Sequence, residues 1–254
     1  MKHWTHLLMK TGMSLEKENM IWNMTGSFFY AFASMVLSFL VLRIAGEEQG
    51  GIFSFGFSTV GQQMFLLAYF GIRPFHITDG ANQYRFGDYL HHRYVTCALA
   101  LLLGAGYLAC IGYSWQKAQI IFLLIVYKVI DGFADVYESE FQRQGCLTGR
   151  SNTFRTILSV GIFLATLVSG AGLFAACAAA VLGQIAGVVL FDIVVLRELK
   201  RVDYGWSAKQ GVSLTASSIL LFVSVFLDFY IFSAAKYAID AHLGDAASGY
   251  FNVI

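Results

Sequence analysis

Long stretches without any Asp, Glu, Lys or Arg dominate this chain and restrict the solvent in which it can fold. Residues 19–42 and 49–72 each form a 24-residue run free of all four, residues 94–116 a run of 23, residues 156–191 a run of 36 and residues 210–227 a run of 18. A helix needs about 20 mostly apolar residues to cross the hydrocarbon of a bilayer. Each run is therefore a spanning segment, and the longest holds most of two spans. Their joint is expected at Ser169-Gly170-Ala171-Gly172, because glycine breaks a helix most readily. A less clean stretch, 118–141, adds one more. The expected spans are 24–43, 51–72, 95–115, 118–141, 151–169, 173–196 and 211–233, an all-α membrane protein of about seven helices.

Composition points the same way. The chain is 57% hydrophobic and 13% charged, whereas soluble domains are about one-quarter charged. The net charge of +1 speaks against a nucleic-acid partner, since such proteins are strongly basic. The four cysteines, Cys97, Cys110, Cys146 and Cys177, form no CxxC pair and read as small packing residues. No P-loop, HExxH or GxSxG motif occurs, so no enzyme and no cofactor is expected. The pair His91-His92 reads as a solvated feature of a loop.

Basic residues set the orientation, because the loops richest in Lys and Arg stay in the cytoplasm. On one side of the membrane lie thirteen: Lys2, Lys10 and Lys17 in the leader; Arg73, Arg85 and Arg93; Arg143, Arg150 and Arg155; and Arg197, Lys200, Arg201 and Lys209. The other side has Arg43, Lys117 and Lys236. This places the N-terminus in the cytoplasm of a multi-pass protein of the cell membrane. Residues 1–23 are an amphipathic cytoplasmic leader, 24–196 a six-helix bundle, 197–210 a cytoplasmic linker, and 211–254 a seventh helix with the start of an outer loop.

Chemistry concentrates in the fourth span, which carries Lys128, Asp131, Asp135, Glu138 and Gln142. At about 100° per residue these five fall within a sector of roughly 80°. Charges at membrane depth are costly, so the stripe faces other helices or a water-filled cavity. It reads either as a structural salt-bridge network, with Lys128 paired to Asp131, or as the wall of a translocation path. Asp228 in the seventh span is a second intramembrane acid. Arg43 and Arg73 end the first two spans as interfacial anchors or as ligands for an anionic substrate. Gly183-x-x-x-Gly187 allows a neighbouring helix to approach closely.

Several stretches resemble a known family. Asn23 followed by Arg43-Ile44-Ala45-Gly46-Glu47-Glu48-Gln49-Gly50 is similar to the opening of polysaccharide-biosynthesis exporters of the Wzx type. These belong to the multidrug/oligosaccharidyl-lipid/polysaccharide (MOP) flippase superfamily. Tyr69-Phe70-Gly71-Ile72-Arg73-Pro74-Phe75-His76-Ile77-Thr78-Asp79, then Phe86-Gly87-Asp88-Tyr89-Leu90 and Arg93, continue the likeness. So do Lys128, Asp131, Asp135-Val136-Tyr137 and Gln142, and the tail Ala235-Lys236-Tyr237-Ala238-Ile239-Asp240 with Gly249-Tyr250-Phe251. The resemblance implies the N-terminal six-helix bundle of a MATE-like fold plus one helix, as in a truncated or split member. It implies flipping of an undecaprenyl-diphosphate-linked oligosaccharide across the cytoplasmic membrane, with Lys128, Arg43 and Arg73 as candidate ligands of the diphosphate. Partners would be membrane lipids, a second half-transporter or a polysaccharide polymerase, and H⁺ or Na⁺ as coupling ion. Two readings compete: a cation-coupled drug exporter using Asp131, Asp135 and Asp228, and a non-transporting remnant. With its partner bundle missing, the seventh helix is expected to pack loosely and diverge.

Overall fold

The computed structural model describes residues 15–144, 148–199 and 202–253. Leader residues 1–14, Cys146 and the Lys200-Arg201 pair lie outside the described residues. Most of the described residues are helical, with no strand among them. In chain order the helices are α1 (Leu15–Ala45), α2 (47–69), α3 (Arg73–Thr78), α4 (Phe86–Ile111), α5 (Trp115–Arg143), α6 (Thr148–Val168), α7 (Gly172–Glu198) and α8 (Ala208–Val253). Five segments are long and apolar enough to cross a membrane: Met20–Ala45, Phe86–Ile111, Ser151–Val168, Gly172–Glu198 and Ala208–Asn252. The protein is an all-α, multi-pass membrane protein. The α2 and α5 rods lie among these five, α2 interrupted by a π-turn and α5 carrying the polar stripe.

Helix α5 is the axis of the bundle. Its Ile120, Ile121, Leu124 and Ile125 are buried against Phe53 and Phe57 of α2, Ala100 of α4, Phe163 of α6 and Cys177 of α7. Lipid offers no hydrophobic drive to associate helices, so small residues that let backbones meet do that work. A side chain added at Gly56 or Gly61 of α2 would meet Leu124 or Lys128 of α5, and one at Gly104 of α4 would meet Ile125. Gly183 and Gly187 seat α7 against Ser159 and Arg155 of α6. The α6–α7 turn lies at residues 169–171, with Gly170 and Gly172 at φ of 82° and 85°.

Two rods each contain a π-turn, Gly56–Val60 in α2 and Val188–Ile193 in α7. Such a turn re-aims the side chains after it and is frequent at functional sites. Here the first precedes Gln62, which bonds Lys128 of the α5 stripe, and the second contains Asp192, which bonds Arg155, itself bound to Asp131 and Glu138 of the stripe.

The structure corrects several expected boundaries. The second span ends at Tyr69 rather than 72, because Phe70 and Gly71 turn left-handed at φ of 51° and 65°. The expected loop 73–94 is largely ordered helix. Residues Arg73–Thr78 form α3, and α4 begins at Phe86, where Asp88 accepts from the Arg85 backbone and completes a capping box. His91 and His92 are not solvated loop residues. His91 stacks on Trp206 at 4.4 Å, and buried His92 bonds Thr215 at 2.9 Å. The linker is fastened rather than free: the Ser207 amide donates to Asp88 at 2.7 Å and the Gly87 amide to the Asp203 carbonyl at 3.0 Å. Cys97 and Cys177 are buried as packing residues, but Cys110 is exposed.

The seventh long rod also departs from expectation. It does not end near 233 but runs to Gly244, breaks there at φ 83°, and returns as a second helical stretch. One face packs along the bundle, with Phe222 stacked on Phe70 at 4.3 Å and Gln63 donating to the Phe226 carbonyl at 3.1 Å. The tail is clasped at the far end: Lys117 bonds Asp240 at 2.8 Å and Asp245 at 2.7 Å, and Tyr113 donates to Asp240 at 2.6 Å. Gly51 abuts the Asp245 carbonyl so closely that a Cβ there would overlap it. Gly51→Ala is therefore expected to lift the tail, since overpacking of this kind costs about 1–3 kcal/mol or more. A cysteine at buried Ser248, in a background lacking the native cysteines, reports it. Its labelling in detergent should accelerate by about an order of magnitude with Gly51→Ala; an unchanged rate would show that the clasp does not depend on this contact.

Candidate functional site

Three helices converge on the polar face of α5. Lys128, Asp135 and Glu138 are buried, and Asp131 and Gln142 are half-buried. Each carboxylate receives an arginine from elsewhere. Arg73, at the start of α3, donates to Asp135, to Glu138 at 3.4 Å and to Gln142 at 3.2 Å. Arg93 of α4, buried, donates to Asp135 at 2.8 Å and to the Ala68 carbonyl at 2.7 Å. Arg155 of α6, 1% exposed, donates to Asp131 at 2.9 Å, Glu138 at 2.8 Å and Asp192 at 2.8 Å. Ser151 also donates to Asp192. At the same end of the bundle His76 bonds Glu140 at 2.8 Å and stacks on Tyr89 at 3.8 Å. Burial pushes the His76 imidazole below its ordinary value, so near neutral pH the ring is uncharged and donates to the carboxylate.

Lys128 is different. Its Nζ donates to the Tyr30 hydroxyl at 2.9 Å and to Gln62 Oε1 at 3.0 Å, and sits 4.0 Å from the centre of the Phe57 ring. Among the described residues no carboxylate lies within ion-pair distance of it, so the Lys128–Asp131 pair of the salt-bridge reading is not made as a direct contact, and Asp131 acts on the ammonium only through its field. The Tyr30 hydroxyl lies between them, interacting with Asp131 as well. The charge of Lys128 is thus solvated by two neutral groups and an aromatic face, in a residue that is 3% exposed.

Two cavities flank this point. One, of about 220 Å³, lies toward the end bearing α3 and is lined by Tyr30, Arg73, Asp131, Asp135, Glu138 and Arg155 among others. The other, of about 580 Å³, lies on the far side of Tyr30 among α1, α2, α5 and α8, and is lined by Tyr30, Ser34, Gln62, Lys128 and Lys236 among others. Tyr30 belongs to both. No family model, curated protein or solved structure matches the chain. The site must be read from its own chemistry. The first cavity is a mixed-charge vestibule whose acids are already held by guanidinium groups. The second holds two ammonium groups facing hydroxyls and amides, which suits an anion.

The structure brings Lys128, Asp131, Asp135, Glu138, Gln142 and Arg73 into one network. It does not bring in Arg43, exposed at the far end of α1, or Asp228, exposed on α8. Sequence reasoning missed Arg93 and Arg155, counted as loop charges yet buried as the main counter-ions. It missed Asp192, Tyr30, Gln62 and Lys236 as well. One signal was available: Asp192 falls inside the expected span 173–196, and an acid there needs a base at similar depth. No metal-type cluster of His, Cys, Asp or Glu occurs among the described residues.

Proposed function

We infer that this chain forms part of a membrane exporter that passes an amphiphilic, anionic substrate between leaflets, of the isoprenyl-diphosphate-linked oligosaccharide class, in the cytoplasmic membrane with its N-terminus inside. One observation carries the reading. A buried lysine with no carboxylate within ion-pair distance lines the larger cavity, beside Tyr30, which lines both cavities. An unpaired buried charge is expensive, and a passing phosphate would supply what Lys128 lacks, through charge-assisted hydrogen bonds. The lining of the large cavity includes Met35 and Phe39 of α1, both exposed, so a hydrocarbon tail can stay in lipid while the charged head uses the cleft. The Wzx-type resemblance points the same way. The cation-coupled exporter is the weaker reading, because Asp131 and Asp135 are each already bonded to arginine.

The test is ligand binding by the purified chain in detergent, with a fluorescent short-chain isoprenyl diphosphate as probe. Saturable binding is expected, competed by unlabelled isoprenyl diphosphate and not by the corresponding uncharged prenol. Equal competition by both would show that the cleft does not select a phosphate and would sink the reading.

A further inference from the structure

Asp228 is an acid in the interior of a described span, away from either helix end, and it has no interaction with the rest of the bundle. It is exposed, and among the described residues it makes no hydrogen bond and no ion pair. Its depth is fixed by its neighbours. The Phe226 carbonyl accepts from Gln63, and Gln62 beside it holds Lys128. Asp228 therefore lies near the level of Lys128, close to the middle of the α5 rod, where a lipid-facing carboxylate is costly.

The surface around it is built like a helix interface. Ser217, Ser224, Asp228 and Ala235 are all exposed, and at about 100° per residue they form one stripe roughly 40° wide. Small residues on a stripe let a second helix come close, with a polar residue as the bond between them. Leu221 and Ile231, both exposed, flank it. The stripe lies away from the face that packs on the bundle through Leu214, Ser218 and Phe222. Lys236, which lines the large cavity, lies only about 80° round from Asp228. A helix seated on the stripe would lie beside the α8 wall of that cavity.

We propose that this face of α8 docks a transmembrane helix from a different polypeptide segment, carrying a Lys or Arg at the depth of Asp228. Charge complementarity decides the occupant. A second copy packed two-fold across this stripe would set Asp228 against its own image, since such interfaces are self-complementary. Nor could a copy offer a free base at that depth. Arg73, Arg93 and Arg155 are bound to carboxylates, and Lys128 is enclosed. The proposal stands whatever the Lys128 cavity carries.

The experiment uses the full chain in phosphatidylcholine vesicles, with a donor dye on a cysteine at exposed Ala208 in a background lacking the native cysteines. The probes are Leu/Ala host helices of about 20 residues with Lys, Leu or Glu at the centre and an acceptor dye at the matching end. The Lys helix is expected to associate roughly tenfold more tightly than the Leu helix, and the Glu helix no better than the Leu helix. Asp228→Asn should erase the difference while leaving the protein monodisperse. Val223→Asn, on the opposite flank, should leave it intact. Equal association of the Lys and Leu helices, or discrimination that survives Asp228→Asn, would overturn the proposal. So would energy transfer between copies of the chain themselves that Asp228→Asn abolishes, because a second copy would then be the occupant.

Discussion

Arg155→Ala should abolish the folded bundle or lower its melting midpoint by roughly 10 °C or more, a larger stability loss than other single changes at the site. Arg155, on α6, holds three carboxylates from two other helices: Asp131 and Glu138 on α5 and Asp192 on α7. Removing one partner of a buried pair costs about 3–5 kcal/mol because the other charge is left without compensation. Here up to three acids lose a partner, and among the described residues Asp192 keeps only Ser151. Arg155→Lys should be intermediate, since an ammonium is a point donor and cannot span the fork that links Asp192 to Asp131 and Glu138. Combining Arg155→Met with Asp192→Asn and Glu138→Gln should recover much of the loss, because the uncompensated charges go with it. Size-exclusion profiles and thermal midpoints in one detergent decide the matter. An alanine variant that elutes as a single species with an unchanged midpoint would show that water, not Arg155, solvates these acids.

The parts of this architecture written in local sequence were legible, and those written in long-range pairing were not. Charge-free runs revealed the spans because lipid tolerates almost nothing else there. Gly183 and Gly187 announced a close helix contact, and α6 occupies it. The α5 stripe was visible because its five polar residues lie on one helix and obey one period. Its counter-ions were not, because Arg73, Arg93 and Arg155 come from three other elements, at positions where a basic residue reads equally well as an interfacial anchor. Two of the thirteen bases that set the expected orientation, Arg93 and Arg155, turn out to be buried members of the network. Lys117, counted on the opposite side, is the buried centre of the tail clasp. The tail itself was misread because residues 234–253 are too polar for a lipid-facing helix. They fold as helix only because Asp240 and Asp245 find Lys117 and because Gly51 makes room.

Lys128→Met separates a structural role from a functional one, because the two readings predict opposite movements. If Lys128 were a strut like Arg155, its loss would unfold the protein. Its partners, however, are the Tyr30 hydroxyl and Gln62, both neutral and able to bond to each other or to water, and the Phe57 ring, which is indifferent to a thioether. Removing a buried charge that has no carboxylate in direct contact relieves a desolvation cost rather than creating one. The midpoint should therefore hold or rise with Lys128→Met. Binding of the isoprenyl diphosphate should fall by roughly 10- to 100-fold, the scale of a lost hydrogen bond to a charged group. Lys128→Arg should keep part of the affinity, since the charge remains while the Tyr30–Gln62 geometry suits an ammonium better. Lys236→Met, removing the second cation of the same cavity, should weaken binding less, because that side chain is half-exposed and its field is screened. A Lys128→Met protein that is stable and binds as tightly as the parent would place the anion elsewhere. One that is stable and blind to the diphosphate would mean that the chain keeps an unpaired lysine for its ligand, at a cost to its own stability.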